Sequence, residues 1–368
     1  MQFILEILTA GLMGYLAFTN MLATQIHYLL GTTPVSNVEE VLPDSDTPAT
    51  LSVLPSEYIQ PSFIPDVLLQ SAAYQQAAVI GSVDTDFVAT TDPLQAIVNI
   101  YCTSITSKQI RTTTGTGFFV HPSGVIMTNA HVAQFLLLEK SGVFGETDCV
   151  IRNGSPASAR FKADLLYIPP AWVKANASLV DAKAPSGTGE RDYALLYVTS
   201  DMDGKVIENP TFPALALNTD LLPRSVTEAT VVAAGYPAGT LLRNGTDTEL
   251  LARKAATTIS ELYTFGSNYA DVFAMRGSII GEQGASGGPV VSESGLVIGM
   301  ITTRGDDVRD GAGSLRAITV SHINRTITEE TGFSLSSNLS GDLPYKANVF
   351  TTTMAPFLTE LLVAEASR

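Results

Sequence analysis

Three residues that lie far apart in the chain have the chemistry that acyl transfer requires. A serine hydroxyl becomes an effective nucleophile when a base takes its proton, an acid orients that base, and N–H donors stabilise the oxyanion that forms. Ser286 lies between glycines in the stretch 284–289, and both His131 and Asp192 precede it. The residue types therefore indicate a base, an acid and a nucleophile, in that order.

The glycines around Ser286 favour a catalytic turn over an ordinary one. Gly, Ser and Pro are common in all turns, so the serine by itself carries little information. Glycines at positions 284, 287 and 288 allow backbone conformations that larger side chains exclude. In such a turn, the N–H groups of Gly284 and Ser286 are the expected oxyanion donors.

The sequence contexts of His131 and Asp192 also favour catalytic roles, as base and as acid. His131 follows a β-branched segment, and the apolar run 132–138 after it predicts a short helix, which would hold the imidazole at the wall of a cleft. Asp192 directly precedes the apolar run 193–196, whereas its competitor Glu190 does not. Because the acid of a triad is buried behind the imidazole, Asp192 is favoured.

These motifs belong to a set of five that resembles the chymotrypsin-fold serine proteases, the trypsin-like families that include the HtrA-type proteases of bacterial envelopes. The resemblance implies an endopeptidase in which Ser286 attacks, His131 transfers the proton and Asp192 orients His131. It also implies polypeptide substrates and no cofactor. The five segments are GTGFF at 115–119, TNAH at 128–131, DYALL at 192–196, VVAAGYP at 231–237 and GASGGP at 284–289, followed by the strand-like 296–301.

The resemblance also implies the fold, an all-β pair of Greek-key, six-stranded barrels with the active site between them and a C-terminal helix. Short strand patterns separated by turn signals, such as HPSG at 121–124, agree with such a pair. The barrels are expected over residues 93–205 and 206–332. The extension 333–368 is too short for the PDZ module of HtrA-type relatives, so that module is not expected.

The end of the chain carries helix signals. Ser321 is expected to cap a helix from His322 to Glu330 that closes the second barrel. We expect a loop over 331–353 and a last amphipathic helix over 354–366.

The specificity region departs from the digestive relatives. Ala285 stands where those enzymes have an aspartate that pairs with a new N-terminus, so activation by that ion pair is not expected. Ile280 stands at the base of the pocket, which favours an uncharged or small apolar substrate side chain over Lys or Arg. Thr302, Thr303 and Arg304 stand where relatives pair with the substrate backbone. Arg304 would narrow the pocket, favour an acidic group, or point into solvent.

The chain contains two cysteines, Cys102 and Cys149, which lie in the predicted strands 96–102 and 149–152. They could bridge neighbouring strands of the first barrel in an oxidising compartment, or remain reduced in its core. A bridge would stabilise the barrel by a few kcal/mol, as closed loops of this kind do.

The first thirty residues are strongly apolar, and the stretch 7–23 carries no charge, which just reaches the lower end of a membrane span. The basic start of a signal peptide and a clear cleavage site are missing, so residues 1–30 favour an uncleaved signal anchor over a removed signal peptide. An amphipathic or buried helix is the alternative. These features predict a membrane-anchored protein that faces the periplasm or cell surface, or a secreted one if the segment is cleaved.

Residues 31–92 combine prolines with acidic and hydroxyl side chains, which is typical of an extended tether. A segment with helical spacing, 66–80, interrupts it and could pack on the barrel or a partner. Residues 1–107 hold ten acidic side chains and no Lys or Arg, so much of the formal charge of −15 lies in this first part of the chain.

Composition excludes other function classes. A chain of 368 residues with 45% hydrophobic side chains can bury two barrels. It lacks a basic stripe for phosphates, so nucleic acid is not an expected partner. It lacks paired-His and Cys-x-x-Cys spacings, so a metal site is not expected. The oligomeric state is left open.

Two alternatives stay open from the sequence. The segment 284–288 also fits the Gly-x-Ser-x-Gly pattern of α/β-hydrolase esterases, but that fold needs a helix directly after the serine and both Asp and His downstream. Here Gly287, Gly288 and Pro289 follow, and only His322 lies downstream. The other alternative is a protease-like domain that keeps the fold, is catalytically latent, and acts by binding.

Overall fold

The computed structural model describes residues 52–53, 76, 87–105, 110–139, 141, 146–181, 189–239 and 249–366. A two-residue strand, β1 (Ser52–Val53), comes first. A four-residue helix, α1 (Pro93–Ala96), leads into the first barrel, and the side chain of Asp92 caps it by accepting from the N–H of Leu94.

The first barrel is a closed, antiparallel sheet of six strands. Large side chains on both faces of its strands are fully buried, Phe118, Phe119 and Ile126 among them. Strands rich in β-branched and aromatic residues fit such a pleated, buried surface. The strands are β2 (Ile97–Ile105), β3 (Ile110–His121), β4 (Val125–Thr128), β5 (Glu146–Asn153), β6 (Ser158–Tyr167) and β7 (Ala194–Asp201).

The second barrel repeats the topology of the first. Its strands are β8 (Thr230–Gly235), β9 (Arg253–Thr264), β10 (Val272–Met275), β11 (Pro289–Ser292), β12 (Val297–Arg304) and β13 (Leu315–Thr319). Around the first barrel the strands follow the order β2-β3-β4-β7-β6-β5. Those of the second follow the equivalent order β8-β9-β10-β13-β12-β11, and the pairing of β8 with β9 closes the ring. The prediction of two six-stranded barrels is therefore confirmed.

Helices lie between and after the strands of both barrels. One helix connects β4 to β5, another follows β13, and the last three come after it, while β1 pairs in parallel with β9. The remaining elements are α2 (Ala130–Glu139), α3 (Pro170–Asn176), short 3-10 turns at Ala177–Asp181 and Arg224–Val226, α4 (Asp307–Asp310), α5 (Val320–Thr331), α6 (Leu335–Asn338), α7 (Leu343–Thr353) and α8 (Ala355–Ala366).

The C-terminal expectations need two corrections. Helix α5 begins earlier than predicted, because Thr319, and not Ser321, accepts the hydrogen bond from the N–H of His322. The expected loop over 331–353 contains α6 and α7. The side chain of Asp342 accepts from the N–H of Tyr345, and a proline follows in the first turn, which is a helix-start signal that the prediction overlooked.

The extension lies against the first barrel. Helix α7 packs on β6, and α8 packs on α2, where the hydroxyl of Thr359 donates to the carbonyl of Leu137 at 2.9 Å. The expected membrane segment 1–30 lies outside the described residues, as do almost all of the tether 31–92 and, except for residue 76, the segment 66–80. In the ranges that are described, the helices are too short or too polar to cross a membrane.

Cys102 and Cys149 lie directly opposite each other on β2 and β5, and their sulfur atoms form a disulfide. Both side chains are buried, and the bridge closes a loop with a sequence separation of 47. This loop holds β3, β4 and α2, so the bridge fastens the part of the barrel that carries His131.

Replacing both cysteines by alanine is expected to lower the free energy of unfolding by about 4 kcal/mol, because the unfolded chain regains the entropy of the open loop. Urea unfolding of the oxidised parent and the double variant measures the difference. Reduction of the parent should give the same loss. Equal midpoints for parent and double variant would show that the bridge does not form in solution.

Candidate active site

His131 and Asp192 are brought together by the pairing of two neighbouring strands. Strand β4 ends at Thr128, and His131 lies in the first turn of α2; Asp192 lies two residues before β7. Because β4 and β7 are adjacent, with Thr128 opposite Ala194, both side chains emerge at the same barrel edge. The Nδ1 atom of His131 lies 2.8 Å from Oδ2 of Asp192, and both side chains are buried.

The carboxylate of Asp192 contacts three hydrogen-bonding groups, two on His131 and one on Thr302. Its Oδ1 accepts the backbone N–H of His131 at 2.9 Å, and its Oδ2 also accepts the hydroxyl of Thr302 at 2.9 Å. An ionised carboxylate only accepts hydrogen bonds, so Nδ1 of His131 carries the proton. In the neutral ring, Nε2 then has its lone pair available as a base.

The loop that carries Ser286 is fixed to the first barrel by Thr116. The Thr116 N–H donates to the carbonyl of Ser286 at 2.8 Å, and its hydroxyl donates to the carbonyl of Gly284 at 2.6 Å. The hydroxyl of Thr128 donates to the carbonyl of Thr116 at 2.7 Å. Thr128 is three residues before His131, so one set of hydrogen bonds connects the serine loop to the histidine strand.

Gly287 allows this close approach. Its φ is +86°, and a Cβ atom there would lie 1.9 Å from the carbonyl oxygen of Thr116. Side chains rarely adopt that φ, and the barrel backbone has no room to move away. Gly287 also donates its N–H to Ile301, next to Thr302, which ties the loop to β12.

Gly287→Ala is therefore expected to lower the free energy of unfolding by about 3 kcal/mol or more, from backbone strain and overpacking together. Gly204 is a matched control, because its φ is +79° and a Cβ atom added there would have no neighbour within 4 Å. Gly204→Ala should cost only about 1 kcal/mol, from strain alone. Thermal and urea unfolding measure both variants, and equal losses would contradict the close approach.

The N–H groups of Gly284 and Ser286 point in the direction opposite to the carbonyl groups of the same two peptides, and those carbonyls are hydrogen-bonded. The carbonyl of Gln283 accepts from Ala238 at 2.6 Å, and that of Ala285 accepts from Gly288 at 2.9 Å. In a trans peptide the N–H is opposite the C=O, so the N–H groups of Gly284 and Ser286 face the other way. Within the described ranges, neither N–H has a backbone acceptor.

A family model matches the region of the chain that holds these residues. The model of the trypsin-like peptidase domain matches residues 115–300, half of the chain, and that range includes His131, Asp192 and Ser286. The chain belongs to the trypsin-like peptidase family. The resemblance inferred from the five motifs is thus confirmed, and this trypsin-like peptidase is a serine peptidase, a hydrolase of peptide bonds.

Solved structures similar to this peptidase include two of the Rv3671c protease. The inactive form is 21% identical with a TM-score of 0.39, over 64% of this chain and 89% of that one. The active form, from M. tuberculosis, is 21% identical with a TM-score of 0.38, over 78% and 93%. None of the curated proteins searched matches the chain.

The predicted specificity residues of this peptidase differ in how deeply they are buried. Ile280 is fully buried in the core of the second barrel. Thr302 is also buried, and its hydroxyl faces Asp192 instead of the surface. Thr303 bonds locally to the carbonyl of Arg304, whose exposed guanidinium donates to Asp307 at 2.9 Å. Of the three expectations for Arg304, the structure agrees with the one in which its side chain points into solvent.

Several residues that position the site were not singled out from the sequence. Besides Thr116 and Thr128, Asn129 donates its side-chain amide to the carbonyl of Asp192 at 2.8 Å and is fully buried. The available signal was the pair of polar residues Thr128 and Asn129 at the end of an apolar strand, because buried polar side chains must find partners. Among the described residues, no three His, Cys, Asp or Glu side chains are grouped as a metal ion would need.

Proposed function

We propose that this peptidase cleaves polypeptides through a triad of Ser286, His131 and Asp192. The observation that carries the proposal is the buried hydrogen bond between His131 and Asp192, 2.8 Å long, beside a serine loop that hydrogen bonds fix to the same barrel edge. This is the arrangement of orienting acid and base that activates a serine.

The reaction proceeds through an acyl-enzyme. Ser286 Oγ attacks the carbonyl carbon, and its proton moves to Nε2 of His131. The carbonyl oxygen becomes an oxyanion that accepts from the N–H groups of Gly284 and Ser286. His131 then gives the proton to the departing amine as the C–N bond breaks. Water, deprotonated by His131, hydrolyses the ester in the same way and releases Ser286.

Asp192 keeps His131 in the tautomer and orientation that these reaction steps need, and its charge stabilises the imidazolium that forms. Thr302 donates its hydroxyl to the same Oδ2 that His131 Nδ1 contacts, which limits rotation of the carboxylate. We infer that Thr302 contributes to the site through Asp192 and not through its side chain's contact with substrate.

For specificity, we propose an uncharged or small apolar side chain before the scissile bond. Ile280 supplies no carboxylate to pair with Lys or Arg, and Leu315, on the strand opposite Arg304, is buried and apolar. Arg304 is neutralised by Asp307, so it offers little to an acidic side chain.

Digestion of an unfolded polypeptide by the full-length protein tests this function. We expect Ser286-dependent cleavage after small or apolar residues, mapped by mass spectrometry of the products, with Ser286→Ala as the inactive control. Cleavage confined to Lys and Arg would contradict the specificity proposal. A folded protein that binds peptides and leaves them intact would support the latent binding domain instead.

The proposed setting is the outer face of a membrane, with residues 1–30 as an anchor and the acidic segment 31–92 as a tether. Support comes from the charge-free stretch 7–23 and from the lack of Lys and Arg before Lys108. Full-length protein should resist extraction from membranes by alkaline carbonate, and deletion of 1–30 should release it. Release of the intact chain would contradict the anchor.

A further inference from the structure

The turn that presents Asp192 has an unusual backbone. Arg191, the residue immediately before it, has a φ of +56°, in the left-handed region that side chains usually avoid. Such a conformation costs about 1 kcal/mol or more and persists where the surroundings hold it. The carbonyl of Arg191 accepts from the N–H of Tyr193 at 2.9 Å, so the turn reverses tightly around Asp192.

The side chain of Arg191 is held by helix α5. Its Nε lies 3.1 Å from Oε1 of Glu330, and its Nη2 lies 3.2 Å from Oε2 of Glu329. The two acids differ in environment, because the Glu330 side chain is 2% exposed and that of Glu329 is 63% exposed. The hydroxyl of Tyr167, on β6, donates to Glu330 Oε2 at 2.5 Å.

The residue on the other side of Asp192 is held by the same helix. Tyr193 is fully buried, and its hydroxyl accepts from the hydroxyl of Thr326 at 3.0 Å. Thr326 and Glu330 are four residues apart, so they lie on the same face of α5. This helix follows the last strand of the second barrel, whereas Asp192 belongs to the first. Two contacts from one helix thus flank Asp192 across the barrel boundary.

Arg191 and Glu330 form an ion pair whose side chains are largely buried. Burial raises the pKa of Glu330 to about 7, even though Arg191 opposes that shift. Burial acts to lower the pKa of Arg191, but Glu330 and the other acids around it outweigh burial and raise it. A buried ion pair contributes little net stability compared with apolar side chains of the same size. Removing one partner of such a pair is nevertheless costly, because the other charge is left buried without its partner.

We propose that Arg191 and Glu330 form a positioning pair that holds the turn so that Asp192 faces His131. The proposal rests on the proposed triad. Neither side chain acts on substrate; both act through the orientation of Asp192. The second barrel, which carries the serine, would thereby also set the geometry of the acid in the first.

Glu330→Gln tests the pair, and Glu329→Gln is its matched control on the same helix and the same arginine. Glutamine keeps the size of Glu330 and can still accept from Tyr167, but it loses the charge that holds Arg191. We expect kcat to fall by about 10- to 100-fold with KM nearly unchanged, because small misplacements of catalytic groups have effects of that size. The acidic limb of the kcat/KM profile should move to lower pH, since a misaligned Asp192 supports the imidazolium less well. Glu329→Gln should match the parent in both respects.

A second variant distinguishes the effect of losing the ion pair from the effect of losing the turn's conformation. Arg191→Gly removes the pair and leaves a residue that adopts positive φ without strain, so the turn itself remains accessible. It should show the same fall in kcat and the same movement of the acidic limb as Glu330→Gln. The low-field proton resonance of the His131 Nδ1–H, which reports its hydrogen bond to Asp192, should weaken or shift in both variants and stay in place in Glu329→Gln.

The outcomes separate this proposal from the triad. If Asp192→Asn is inactive while Glu330→Gln and Arg191→Gly keep the parental kcat, pH profile and proton resonance, the triad stands and the positioning pair is wrong. If Asp192→Asn keeps parental activity, the triad is wrong, and the pair's role with it. Loss of kcat in both pair variants, with the expected changes in pH profile and proton resonance and with each variant folded at the assay temperature, supports the pair.

Discussion

Ser286→Ala is expected to reduce kcat by about a million-fold while the protein stays folded and binds peptides as before. The alanine has no oxygen to attack the carbonyl, so the acyl-enzyme cannot form. What remains is the stabilisation that the N–H groups of Gly284 and position 286 give to direct attack by water, which in such sites still exceeds the uncatalysed rate by about a thousand-fold. His131→Ala should lose nearly as much.

The non-additivity of these losses is part of the expectation. Because Ser286 and His131 act as one unit, the double variant should be no slower than Ser286→Ala alone. Ser294→Ala, at an exposed serine in the turn after β11, is the matched control and should keep the parental kcat. Single-turnover cleavage of a peptide measures all these proteins. If Ser286→Ala kept more than a small fraction of the parental rate, another nucleophile would be responsible.

Asp192→Asn is expected to lower kcat by about ten-thousand-fold near neutral pH. The asparagine side chain fits the same space, but its amide can donate toward Nδ1 of His131. The proton would then move to Nε2, the atom that must accept it from the serine. Loss of the negative charge also removes support for the imidazolium, so the acidic limb of the kcat/KM profile should move to lower pH.

The control for this variant is Glu190→Gln. Glu190 lies two residues earlier and was the competing carboxylate in the sequence, yet it is Asp192 that accepts the hydrogen bonds from His131. Glu190→Gln should keep a kcat close to the parent's and the same pH profile. Equal losses in both variants would mean that the turn, and not the carboxylate of Asp192, carries the effect.

The features that follow from local sequence could be predicted. Strands with β-branched and aromatic side chains, turns with glycine, and the order of the five motifs indicated the two barrels and the family. The strand predicted at 96–102 is seen as Ile97–Ile105, and the helix predicted after His131 as Ala130–Glu139. The serine loop is followed by strand β11, as its Gly-Gly-Pro sequence indicates, and not by the helix of an α/β-hydrolase.

The features that depend on contacts between distant segments could not be predicted from the sequence. Thr302 stands where relatives bind substrate backbone, and only the meeting of β12 with the turn before β7 shows that its hydroxyl reaches Asp192. Arg304 could pair with substrate or with Asp307, and the sequence does not decide between them. Glu330 was expected only as the end of a helix, because its contact with Arg191 spans the two barrels.

The central claim is that Ser286 is a nucleophile activated by His131, and covalent labelling tests it most directly. Full-length protein is treated with a fluorophosphonate, and the modified residue is identified by mass spectrometry beside Ser286→Ala and His131→Ala. We predict one adduct, on Ser286, that is absent from both variants although both are folded. A folded parent without an adduct on Ser286, or labelling of Ser286 that persists in His131→Ala, would contradict the account.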